Sequence, residues 1–123
     1  MASFAELLKS YREQVRMSQR SLARTSHINP AIISRLESGD RLPSGPAQVL
    51  AITQALALDE PRANRLLASA GYWPKAILEL GPQDETLLAI AGVLTDGVLS
   101  ADVRNRFRQV VQLLADQWRA RGE

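Results

Sequence analysis

Apolar residues along this chain recur at intervals of three and four with polar residues between them, and no stretch alternates as a strand does. Phe4, Leu7, Leu8, Tyr11 and Val15 mark a first amphipathic helix. Ser18 caps a second, with Leu22 and Ala23 as its inner face. Asn29-Pro30 opens a third, Gly39 closes it, and DRLPSGP follows as a loop. Val49, Leu50, Ile52 and Leu56 mark a fourth helix; Asp59-Glu60-Pro61 starts a fifth, which holds Leu66, Leu67 and Ala70. GYWPKAILELGP, residues 71–82, sets two glycines and two prolines among apolar residues and predicts a packed connector anchored by Trp73, for which a ligand-stacking role is the alternative. A short helix from Asp84 to about Leu94 then ends at Asp96-Gly97. Ser100 caps the last helix, with Asp102 at its positive end. Val103, Phe107, Val110, Val111, Leu114 and Trp118 form one stripe along it. The expected fold class is all-α: five helices, then a two-helix C-terminal extension.

The break between the second and third helices is designed rather than incidental. Asn29 can accept orphan backbone N–H groups as a cap. Pro30 falls at the first helical position, where its missing N–H costs nothing. Ile28 before the cap can pack on Ile33 at the fourth position, a staple that sets the direction in which the chain enters the helix. Ile33 and Leu36 then face inward. Asn29, Pro30, Ala31, Ser34, Arg35 and Ser38 point outward, a small polar face with one long guanidinium.

Charge sharpens this picture. The net charge is only +2, but residues 1–45 hold seven Lys/Arg against four Asp/Glu, whereas residues 73–123 hold six against seven. A mildly basic front half suits an anionic partner, and solvated helix faces also produce such imbalances. Of the 15 basic residues only Lys9 and Lys75 are lysine. That preference suits phosphate and base recognition; the codons of a GC-rich genome produce it equally well. A length of 123 residues allows one domain with an appendage. No apolar run approaches a membrane span, the N-terminus carries no signal-peptide core, and there is no cysteine. These features point to a cytoplasmic protein.

Ser18-Gln19, Leu22-Ala23, Ile28, Ile33-Ser34-Arg35-Leu36-Glu37, Gly39 and Pro43 together resemble the helix-turn-helix of the Cro/C1 repressor family, also called the XRE family. The likeness runs from about Phe4 to Gly71. It implies a lambda-repressor-like bundle of five helices whose third helix enters the DNA major groove. The expected division is residues 1–72 as the DNA-binding domain and 73–123 as a dimerising helical region. By the resemblance, Ser18 and Gln19 lie at the backbone or an adjacent base edge. Asn29, Pro30, Ala31, Ser34 and Arg35 form the reading face. Arg35 has the geometry for guanine O6 and N7; Ala31 or Ile32 can touch a thymine methyl. Arg41 and Ser44 grip phosphates. Arg12 and Glu37 match a family pair tying the first helix to the third, a structural role.

Two departures stand out. Many family members have glycine where this chain has His27, so His27 is expected as a strained turn residue of positive φ, near phosphate. Pro30 and Ala31 offer no side-chain donor, which shifts part of the specificity to DNA shape. Plainer readings exist beside these: a simple helical hairpin, Arg35 as a solvated charge, Gln19 as a surface glutamine. One histidine and no cysteine give neither a metal set nor a nucleophile–His–acid constellation, and Asp59-Glu60 and Asp84-Glu85 sit where helix N-termini favour negative charge. No enzyme, no cofactor and no metal are expected.

The C-terminal stripe has two readings: a cover for the front domain's own flank, or a surface for a second copy. The second is preferred, because one reading helix spans few base pairs and two copies on a pseudo-palindromic operator supply selectivity. The expected function is a homodimeric repressor acting on double-stranded DNA. The alternatives are an antitoxin-type regulator whose last helices bind a toxin protein, and a protein–protein adaptor without DNA.

Overall fold

The computed structural model describes residues 2–122, and every regular element among them is helical. The order is α1 (Phe4–Gln14), α2 (Gln19–Ser26), α3 (Pro30–Ser38), α4 (Pro46–Ala55), α5 (Glu60–Ser69), α6 (Lys75–Leu80), α7 (Glu85–Leu94) and α8 (Ala101–Arg121). The chain divides into two compact units, one ending at Glu79 and the other starting at Leu80.

In the first unit, α1 to α5 close one core. Leu8, Leu22, Ile33, Leu36, Val49, Ile52, Leu66 and Leu67 are fully buried there, joined by Phe4, Tyr11, Ala23 and Leu56. Each large side chain taken out of water contributes about 1.5–3 kcal/mol before the cost of ordering the chain. The helix ends follow cap chemistry. Ser3 caps α1: its hydroxyl accepts from the Glu6 N–H at 3.2 Å and donates to the Glu6 carboxylate at 3.0 Å. Asp59 caps α5 through the Arg62 N–H at 3.1 Å. Val15 departs from the pattern read off the sequence: it is 44% exposed. The helix stops at Gln14, and Arg16 turns left-handed at φ 56°, so Val15 swings off the inner face.

The connector after α5 is partly helical, because α6 forms within it. Tyr72 and Leu78 pack against the core, and the Tyr72 hydroxyl donates to the Pro43 carbonyl at 3.4 Å. The anchoring expected of Trp73 falls to these neighbours instead, since Trp73 is half exposed.

The second unit is a helical pair. Asp84 caps α7 through the Leu87 N–H at 2.9 Å, and Ser100 caps α8 through the Val103 N–H at 3.2 Å. Arg104 donates to the Asp96 and Leu99 carbonyls, both at 2.8 Å, and so braces the turn between the helices. The stripe read along α8 divides in two. Phe107 and Val111 are half-buried and share a groove with Ile90 and Leu94 of α7. Val103, Val110, Leu114 and Trp118 lie exposed, and the Arg121 guanidinium sits 5.4 Å above the Trp118 ring. No helix of the described residues is long and apolar enough to cross a membrane.

Candidate nucleic-acid interface

The outer surface of α3 is held in place at both ends and from behind. At its start the Asn29 side-chain oxygen accepts the Ala31 N–H at 2.8 Å, and Pro30 occupies the first turn. The turn before it depends on His27, which caps α2 in the left-handed conformation at φ 59° and returns its N–H to the Ala23 carbonyl. This is the positive φ expected there. At the far end Gly39 takes φ 82°, a conformation that glycine adopts without steric cost. From behind, Ile33 and Leu36 are fully buried and Ile28 packs against the same core.

A polar brace adds to this apolar support. The Arg12 guanidinium of α1 donates to Glu37 of α3 through Nε at 2.5 Å and Nη2 at 2.9 Å, and to the Met17 carbonyl at 2.7 Å. The side chains are only 13% and 4% exposed, so the fork is largely shielded from water. Hydrogen bonding to Glu37 raises the Arg12 pKa above its ordinary value; burial opposes this and the carboxylate charge supports it. Gln19 of α2 donates from Nε2 to the same Glu37 carboxylate at 3.1 Å. One carboxylate therefore ties α1, α2 and α3 together.

Asn29, Pro30, Ala31, Ser34 and Arg35 are all exposed on one run of α3. Ile32 is half-buried against the core, so of the two residues expected to meet a thymine methyl only Ala31 is fully presented. Ser18 is exposed, and its hydroxyl accepts the Ser21 N–H at 3.0 Å as the α2 cap. In the loop after α3, Arg41 and Ser44 are exposed; the Arg41 N–H reaches the Arg35 carbonyl at 3.3 Å and the Ser44 N–H reaches Gln48 Oε1 at 3.0 Å. Arg16, Arg20 and Arg24 were not singled out from the sequence. They are exposed, and among the described residues none of them pairs with a carboxylate. For Arg20 and Arg24 the signal was available, because they lie four residues apart on α2, the spacing that stacks side chains on one helix face; Arg16 lies in the turn before it.

A short capped helix, a left-handed turn and a second helix with a propped polar face define a helix-turn-helix domain, the fold that carries α-helices into DNA grooves. Residues 3–66, just over half of the chain, match the family model described as "Helix-turn-helix domain", and the chain belongs to that family. The family is in general one of DNA-binding, non-enzymatic domains. No curated protein and no solved structure matches the chain.

Proposed function

We propose that this chain is a sequence-specific transcription regulator of the Cro/C1 type, a homodimeric repressor that occupies a pseudo-palindromic operator. The observation that carries this reading is the exposed face formed by Asn29, Pro30, Ala31, Ser34 and Arg35, held on a helix fixed by two caps, a buried apolar back and the Arg12–Glu37 fork. Such a helix enters a groove as a rigid body and loses little freedom on binding.

In this reading Arg35 reads a guanine edge and Ala31 meets a thymine methyl. Asn29 has its oxygen engaged in the cap, so its amide N–H groups face the DNA as donors. Ser34 adds a hydroxyl able to donate or accept. Gln19 has one amide N–H on Glu37, which leaves its other N–H and its oxygen for the backbone or an adjacent base edge. Ser18, Arg41 and Ser44 hold the backbone, and Arg20 and Arg24 extend the phosphate contacts along α2. His27 lies near phosphate. Residues 1–72 form the DNA-binding part and 73–123 the dimerising part. The site of action is the nucleoid in the cytoplasm, and repression follows from excluding polymerase.

Titration against random duplex DNA at several salt concentrations tests the reading. The log of the binding constant should fall by about 0.9 per log unit of salt for each neutralised phosphate. Arg35→Ala should relax sequence preference by about 1–3 kcal/mol at one base pair. Arg41→Ala should weaken all sequences alike and flatten the salt slope. Absence of DNA binding at any salt would leave a protein–protein adaptor, and equal effects of the two variants would overturn the assignment of roles.

A further inference from the structure

The segment after Leu80 has well-formed helix ends and no interior. α7 and α8 contain 10 and 21 residues, and not one of them is buried. Leu88, Val110, Leu113, Leu114 and Trp118 are 51–65% exposed. Helices below about 12–15 residues are marginal in water without packing. Units of about 40 residues usually need outside support to fold. The groove formed by Ile90, Leu94, Phe107 and Val111 is half of a core.

We propose that α7 and α8 become stably folded only when they pair with the same segment of a second copy, closing a four-helix bundle in which α7 of one copy lies against α8 of the other. The proposal rests on the homodimer reading above. Two observations select a second copy as the occupant. The first is spacing. Val103, Phe107, Val110 and Leu114 follow steps of four, three and four, the seam period of helices in a bundle. The second is charge. Residues 80–99 contain Asp84, Glu85 and Asp96 and no basic residue. Residues 100–122 contain five arginines against Asp102 and Asp116. The segment thus joins an acidic half, whose charges lie at the two ends of α7, to a basic helix, which makes it its own complement. A two-fold axis satisfies both halves at once, because the same patch is used twice. Pairing α8 with α8 would instead bring two basic helices together.

The test uses the full chain in a dilution series, followed in parallel by sedimentation and far-ultraviolet circular dichroism. The expected result is a dimer that loses up to about a third of its helical signal as it dissociates, in proportion to the share of helix in α7 and α8. Val110→Glu should be monomeric throughout with the same reduced signal, while a cooperative urea transition shows that α1–α5 remain folded. Added salt should weaken the dimer several-fold by screening the α7–α8 attraction. A dimer that dissociates into fully helical monomers overturns the coupling and leaves the homodimer intact. A chain that is monomeric and fully helical at every concentration overturns both. A monomer whose segment folds only with a different protein overturns the choice of a second copy, and a dimer that tightens with salt overturns the α7–α8 pairing.

Discussion

Glu37 receives both Arg12 and Gln19, so its removal should act well beyond its own helix. Glu37→Ala leaves the Arg12 guanidinium shielded and unpaired, which costs about 3–5 kcal/mol when such a pair is buried. The urea midpoint should fall accordingly, and a shift under 1 kcal/mol would mean that water takes over the role of the carboxylate. Because the Arg12 pKa is raised, its share of this stability is complete at neutral pH and would be lost only in strong alkali, above the group's ordinary value. His27 makes an opposite prediction. An L-residue in the left-handed region is strained by roughly 1–2 kcal/mol, and glycine relieves the strain at a cost of about 0.5–1 kcal/mol in chain entropy. His27→Gly should therefore raise stability by up to about 1 kcal/mol, seen as a higher thermal midpoint. The positive φ was legible because glycine is common in that turn among similar chains. That Gln19 bonds Glu37 was not, since a residue 18 positions away gives no local sign of the partner its side chain will find.

At the scale of elements, caps were the most legible feature. Ser18, Asn29, Asp59 and Ser100 each accept a backbone N–H at a helix start, because a short polar side chain before an apolar periodic run has few other uses. The Asn29 cap also aims α3. Asn29→Ala should lower stability by about 1 kcal/mol and lower operator affinity by more than random-DNA affinity, which paired titrations would separate. Where one force did not dominate, the pattern misled. Val15 continues the inner-face spacing of α1, but the helix ends one residue earlier. α6 hides between prolines and glycines that usually signal irregular chain. Trp73 is large and apolar and was expected inside, yet the smaller Leu78 and the amphipathic Tyr72 fill the space beside the core.

For the whole molecule, the two units differ in how much of their fold they contain. The first closes its own interior with eight fully buried large side chains, whereas the second has none. Hydrophobic periodicity foretold both sets of helices, but periodicity records which face is apolar and not what will cover it. That is why the α8 stripe could be read from the sequence while its division into a half-buried edge and an exposed edge could not. If two copies bind together, their reading helices should meet half-sites about 34 Å apart, one turn of the duplex. Footprinting on the operator should then show inverted half-sites with centres about 10–10.5 base pairs apart. A footprint confined to a single half-site at saturating protein would count against two-fold binding.

The carboxylate shared by α1, α2 and α3 has a consequence for genetics. If the chain represses as proposed, a screen for loss of repression would recover changes at Arg12 alongside changes at Arg35, and a plate assay would score them as the same defect. They would part on a second trait: Arg12 alleles should respond to growth temperature and yield to suppressors that stiffen the fold, whereas Arg35 alleles should respond only to a compensating change in the operator.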